Sequence, residues 1–299
     1  MKPVAQGKIR SNLLIGVVSY CSDILKIWDG MRASLLARGV DLDYVTYTNY
    51  ERQVTALLHG HIDVAWNGPL AHIRLQRRAG HKGRTVSLGM RDVDRDFQSY
   101  LVTRKADAAK FKSLKDVESK QVFAGTHDSP QAYILPLHFL KQAKVNLGTI
   151  DLIRFDRDVG KHGDTADGEV EVLKAVLGET SKPTYGVVSK LMFDRLDRKA
   201  ELEIVHNFQP FDHCQFDCMV TLPESTRKAF QEALFAMNGS TDLKDKEVMR
   251  LEGIRERWEQ PRESGYDSMR AALASDPLVE FPSPIHTPDS HPFRSLTIQ

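Results

Sequence analysis

The hydrophobic positions change period as the chain advances. Leu13 to Val18 is an unbroken apolar run of strand length, and it leads into the polar loop Ser19-Tyr20-Cys21-Ser22-Asp23. Ile24, Ile27, Trp28, Met31, Leu35 and Leu36 then recur at helical spacing, with Gly39 placed to close the helix. VDLDYVTYT alternates like a strand, NYERQVTALLHGH reads as a capped helix, and Ile62 to Trp66 is a further apolar strand that stops at Asn67-Gly68-Pro69. Leu70-Ala71-His72-Ile73 resumes a helix-compatible pattern. This order of strands and helices predicts a mostly parallel sheet with helices on both faces.

FQSYLVT, from Phe97 to Thr103, predicts a strand at a crossing between two lobes. A second unit follows, with a strand at Gln121 to Ala124, a polar loop and a helix starting at Ser129-Pro130. IDLIRF reads as a strand, DRDVGKHGDTADGE as a polar loop and VEVLKAVLGE as a helix. TYGVVS is strand-like, and AELEIVHNF carries the chain back to the first lobe. From Pro223 the pattern is mostly helical, and EFPSPIHTPDSHPFRSLTIQ reads as a loosely packed tail. The expected division is residues 1–98 with 207–299 for one lobe and 99–206 for the other.

The 299 residues are 41% hydrophobic and 27% charged, with a formal charge of +1, an ordinary globular composition. Near-neutral charge and the lack of a basic block with interleaved aromatics argue against a nucleic-acid partner. No run approaches the ~20 apolar residues that cross a bilayer, so no membrane span is expected. The apolar part of the N-terminal segment is too short for a secretory signal. A cytoplasmic location is therefore expected, or a periplasmic or extracellular one if an export signal was removed. Cys21, Cys214 and Cys218 make no disulfide framework.

Several polar loops are candidates for chemistry. In GTHDSPQAY, Ser129 suits a helix N-cap and Pro130 the first helical position, which leaves the N–H groups of Gln131 and Ala132 free beside the Thr126 and Ser129 hydroxyls. That group would cradle a phosphate-like or carboxylate oxygen, although Ser-Pro also serves simply to cap a helix. Asn67-Gly68-Pro69 repeats the device after a strand, and Trp66, Tyr20 and Tyr133 are candidates for an aromatic wall. His61 and His72 read as structural bystanders. GKHGDTADGE holds His162 and Asp164 among glycines that let a backbone come close to another group. FDHCQFDCMV, with Asp212, His213, Cys214, Asp217 and Cys218, reads either as a metal site or as a strand with alternate buried cysteines and aromatics. The candidate metal ligands are His162, Asp164, His213 and Cys214, with iron or zinc as the ion. No G-x-S-x-G, P-loop or G-x-G-x-x-G is present.

GHIDVAWNGPLAHIR, the run from FQSYLVT to LPLHFL, GKHGDTADGEVEVLKAVLGE and ESGYDSMRAAL resemble, in order, motifs of the phosphate, phosphite and phosphonate class of solute-binding proteins. The resemblance spans roughly residues 12 to 275. It implies a two-lobed α/β fold of the type II periplasmic-binding-protein kind, each lobe a mixed, mostly parallel sheet flanked by helices, with two hinge crossings. It also implies a small-molecule ligand in the inter-lobe cleft and, for an exported chain, an ABC permease as partner. By that resemblance Tyr20, Asn67 with Gly68, Thr126, Ser129, Gln131 and His162 would contact the ligand. Trp66 and Asp128 complete the expected set. Asp128-Ser129-Pro130-Gln131 stands where the family's serine- and threonine-rich cradle would be, and Asp128 and Asp164 add negative charge there. A zwitterionic or amine-bearing ligand follows more readily than a simple anion. The alternative is a cytosolic, metal-dependent enzyme on the same fold, such as a lyase, decarboxylase or biosynthetic synthase. His162, Asp164 and His213 would then be its catalytic groups, with His162 as base or metal ligand and Asp164 orienting it.

Overall fold

The structure, a computed structural model, describes residues 12–80, 82–196 and 201–275. The sequence-predicted tail from Glu280 onward lies outside the described residues. The chain builds β1 (Leu13–Val18), α1 (Ile24–Leu36), β2 (Leu42–Tyr47), α2 (Tyr50–Leu58), β3 (Val64–Asn67), α3 (Pro69–Arg78) and β4 (Thr85–Arg91). A second set follows: β5 (Ser99–Arg104), β6 (Gln121–Ala124), α4 (Leu135–Gln142), β7 (Asp151–Arg154), α5 (Asp167–Gly178), β8 (Thr184–Ser189), α6 (Lys190–Arg195) and β9 (Leu202–Asn207). It ends with β10 (Gln215–Met219), α7 (Glu224–Phe235), α8 (Leu243–Glu252), β11 (Trp258–Glu259) and α9 (Asp267–Ser275).

These strands form two mixed sheets, with orders β11-β4-β10-β3-β1-β2 and β7-β6-β8-β5-β9. In the first, β1 pairs in parallel with β2 and β3, while β10 lies antiparallel between β3 and β4. In the second, β6 pairs in parallel with β7 and β8, while β5 lies antiparallel between β8 and β9. Each sheet buries both faces. Ile27, Trp28, Met31 and Leu35 of α1 pack with Trp66, Phe216 and Phe230 on one side of the first sheet. Val54 and Leu57 of α2 pack with Ala71 and Leu75 of α3 on the other. Each such large aliphatic or Phe side chain stabilises the fold by about 2 kcal/mol.

The two sheets are joined at Phe97 and Phe211, which form an isolated antiparallel bridge with N–H to O=C bonds of 2.7 and 3.0 Å. The segment before α9 braces this crossing. Arg262 bonds the carboxylate of Asp212, the Asp212 N–H donates to the Gly265 carbonyl at 2.9 Å, and the Tyr266 hydroxyl donates to the His213 carbonyl at 2.9 Å. α9 itself shares a core with α3 and α4.

Two strands were not anticipated from sequence: β4, and β11, which is only Trp258–Glu259 paired to its edge. The helix expected from Ser129-Pro130 opens instead with a wide turn over Pro130–Ile134 before α4 begins. The cause is Pro136, which has no N–H for the Ala132 carbonyl, and that carbonyl accepts from the Gly125 N–H at 3.1 Å instead.

Candidate ligand-binding cleft

A cavity of about 800 Å³ lies between the two sheets. The first sheet contributes the loop Ser19 to Asp23, Trp66, Arg91, His213, Cys214 and the end of α8 at Leu251 and Glu252. The second contributes Gln131, the stretch Gly163 to Asp167, Glu169, Ser189 and the start of α6. Two helices point their N-terminal ends at it, α1 from the first sheet and α5 from the second; neither N-cap residue makes a side-chain bond, and at the α5 start the Gly168 N–H donates to Asp158 Oδ2 at 2.8 Å. The positive ends of both helix dipoles therefore face the cavity. The Thr165 hydroxyl there has no hydrogen-bond partner.

The loop between the short turn at Asp156–Asp158 and α5 closes the cavity by resting on the first sheet's helices. The Tyr50 N–H donates to the Gly160 carbonyl at 2.9 Å, and Lys161 Nζ donates to the Ser19 carbonyl at 2.7 Å. The Tyr50 hydroxyl bonds Asp164, and the His162 ring stacks on Tyr50 with centroids 4.6 Å apart. Gly163 adopts φ +78°, and a Cβ there would lie 2.5 Å from Ser129 Oγ, so only glycine lets the loop pass this close.

The buried end of the cavity is rich in carboxylates. Arg91 Nη2 donates to Asp94 at 2.8 Å and Arg91 Nη1 to the Glu252 carboxylate at 3.3 Å, while Glu252 also accepts from the Tyr20 hydroxyl at 2.6 Å. Glu169 accepts from the Ser189 N–H at 2.5 Å and from Gln131 Nε2 at 3.3 Å. Burial pushes the carboxyls of Asp164, Glu169 and Glu252 above their ordinary range. Asp94 goes the other way: burial would raise it, but the Arg91 guanidinium wins and holds it at about 2. Lys161, Arg195 and Arg250 supply positive charge, Arg195 and Arg250 from exposed positions.

Of the residues singled out from sequence, Tyr20, Trp66, Gln131, Asp164, His213 and Cys214 line the cavity. The others are engaged elsewhere. Asn67 Nδ2 donates to Asp217 at 2.9 Å and its Oδ1 accepts from Gln53 at 2.9 Å, inside a buried network that includes His72. Asp164 occupies the space in front of Gly68, where an added Cβ would lie 3.4 Å from Asp164 Oδ2. The start of α3 thus faces the protein's own carboxylate. Asp128 turns from the cavity to accept from Thr126 Oγ1 at 3.0 Å and the Gly160 N–H at 2.7 Å, and Ser129 Oγ accepts from the Ala132 N–H at 3.1 Å. His162 is buried behind the loop, and Tyr133 packs with α4 in the second core beneath Arg154. Arg91, Glu252, Glu169, Lys161, Thr165 and Arg195 line the cavity but were not picked out from sequence. Of these, Thr165 and Glu169 lie at the α5 start.

The metal reading fits poorly. Asp94, His213 and Cys214 are, among the described residues, a group whose ligand atoms lie within 4.8 Å of one another. His213 Nδ1 is 3.1 Å from Cys214 Sγ, and its Nε2 is 3.7 Å from Asp164. Arg91, however, donates to both oxygens of Asp94, so a guanidinium already supplies the positive charge an ion would bring. His162 does not join this group, because its ring is held against Tyr50.

Residues 21–266 match a family described as the phosphonate periplasmic substrate-binding protein of ABC transporters. A probable ABC transporter phosphite-binding protein, PhnD1 of Prochlorococcus marinus (strain MIT 9301), is 25% identical over 112 residues, a match covering 36% of this chain and 37% of that relative. The fold is similar to PhnD1 of P. marinus solved with methylphosphonate, with TM-score 0.66, 17% identity and coverage of 88% of this chain and 97% of that one. It is equally similar to XAC2383 from Xanthomonas citri bound to ATP, at TM-score 0.66 and 15% identity over 90% and 98% of the chains. The enzyme alternative and the cytoplasmic expectation gain no support from the family match. By the match over residues 21–266, the chain belongs to the phosphonate class of periplasmic substrate-binding proteins that serve ABC transporters.

Proposed function

We propose that this chain is the solute receptor of an ABC importer, works in the periplasm, and delivers an oxyanion of the phosphonate class to a permease. The observation that carries the reading is the pairing of two helix N-termini, α1 and α5, on one cavity between the sheets. An oxyanion between them would accept from the remaining N–H groups of the two helix starts and from the Thr165 hydroxyl, with a charge contact from Lys161 or Arg195. Asp164, Glu169 and Glu252 accept hydrogen bonds, so the favoured ligand also carries donors, as an ammonium-bearing phosphonate does. A sulfonate, which keeps no proton at neutral pH, is disfavoured. Tyr20, Trp66 and Gln131 are the sequence-predicted residues we propose as ligand contacts.

In this reading residues 1–98 with 207–299 form one lobe and 99–206 the other, moving about the crossing at Phe97 and Phe211. The strand memberships of the two sheets support that division. Titration calorimetry with 2-aminoethylphosphonate, methylphosphonate and methanesulfonate tests the ligand class. Affinity is expected to fall in that order, and failure of either phosphonate to bind at millimolar concentration would overturn it. Fractionation of cells making the full-length gene product tests location.

A further inference from the structure

We infer that His162 is a positioning residue for closure: a neutral imidazole that clamps the loop before α5 onto α2 and α3, and so fixes Asp164 at the cavity without touching the ligand. This rests on the receptor reading of the cleft. The side chain is 1% exposed, does not line the cavity, and sits at φ +55°. Its ring stacks on Tyr50 of α2 at 15° between planes, and the Tyr50 hydroxyl in turn bonds Asp164. On its other side His162 Nε2 is 3.5 Å from Arg74 Nη1 of α3, and its Nδ1 is buried with no partner. One ring therefore joins both halves of the molecule, with the Arg74 guanidinium beside it disfavouring a charged form.

The surroundings offer little to a protonated ring. Burial pushes the imidazole well below its ordinary value, and Arg74, His127 and His213 push the same way. The nearby acids are engaged: Glu51 of α2 with Arg74 and Arg78, Asp128 with Thr126 and Gly160, Asp164 with Tyr50. Lys161 on the same loop bonds the Ser19 carbonyl. In an open molecule the ring regains water and titrates near its ordinary ~6.5. Below that pH the open form takes a proton that the closed form refuses, so closure weakens by about tenfold per pH unit. Asp164, Glu169 and Glu252, raised by burial, take up protons on closing and tilt the profile the opposite way. A comparison with a His162 variant cancels their share.

The experiment measures methylphosphonate affinity by calorimetry from pH 5 to 8 for the full chain, for His162→Asn and for Arg74→Met. Asparagine tolerates a left-handed backbone and does not titrate. Wild-type affinity relative to His162→Asn is expected to be constant above pH 7 and about thirtyfold lower at pH 5. Arg74→Met, which removes the nearest cation, is expected to shrink that loss. NMR titration of the His162 ring, assigned with the Asn variant, is expected to show it neutral well below pH 6.5 in the methylphosphonate complex. A flat affinity ratio with an ordinary midpoint would overturn the inference. Absence of methylphosphonate binding, by contrast, would sink the proposed function and the clamp with it.

Discussion

Asp217→Ala should unfold the first lobe's sheet far more readily than it weakens ligand binding. The Asp217 carboxylate is fully buried and gathers donors from three strands and α3: Asn67 Nδ2 at 2.9 Å, Gln215 Nε2 at 3.0 Å, Ser87 Oγ at 3.1 Å, and His72 Nδ1, 3.1 Å from both oxygens. Gln215 keeps another partner, since its Nε2 also donates to Ser87 Oγ at 2.9 Å. Asn67 Nδ2 has no such substitute among its hydrogen bonds to the described residues. One to two orphaned buried donors cost about 1–3 kcal/mol each, and loss of charge-assisted bonds brings the total to about 3–5 kcal/mol. Urea unfolding followed by circular dichroism measures it through the midpoint, and Asp217→Asn, which keeps the shape, should lose roughly half as much. If Asp217→Ala shifts stability by less than ~1 kcal/mol while abolishing phosphonate binding, Asn67 and its partners serve the ligand, and the structural role given to them here is refuted.

Tyr50→Phe keeps the stack on His162 but removes the hydroxyl bonded to Asp164, a bond between the two halves. Hydrogen bonds to charged groups contribute about 1.5–3 kcal/mol, so methylphosphonate affinity should fall at least tenfold in calorimetry, and an unchanged value would show that this contact does not report closure. Glu169→Gln should weaken 2-aminoethylphosphonate by about tenfold and leave methylphosphonate nearly unaffected, because only the ammonium ligand needs the carboxylate; equal losses would remove that assignment. Thiol titration should find Cys21, which is exposed, reacting first. Cys214 and Cys218 are buried, with the Cys218 thiol pushed by burial up to about 12, and should react only on unfolding.

The opening helices and strands were legible because each carries a complete period: α1 shows its buried face in Ile24, Ile27, Trp28, Met31 and Leu35, and β1 is apolar throughout. β4 was not, since its outer half, Thr85 to Ser87, is only half-buried and its burial comes from a strand far along the chain. β11 has no local signal at all; two residues become a strand only beside Arg91 and Met90. The polar turns after strands were visible as turns, but which way each side chain points was not. Asn67 and Asp128 look like ligand groups until Asp217 and the Gly160 N–H, brought in by distant segments, claim them. Arg91 and Glu252 meet only because α8 returns to the sheet, so neither stood out in sequence. The strand reading of FDHCQFDCMV, by contrast, needed only alternation, and Cys218 and Phe216 are both buried in β10.

The central position of β10 has a further consequence for how the molecule comes together. The ribosome makes β3 and β4 early, yet the strand that zips them side by side is not synthesised until Gln215, after the whole of the other sheet. Until then the nascent first half has an unfilled slot down its middle and cannot reach its final packing. A chain assembled this way cannot lock its first sheet until most of the polypeptide has been made.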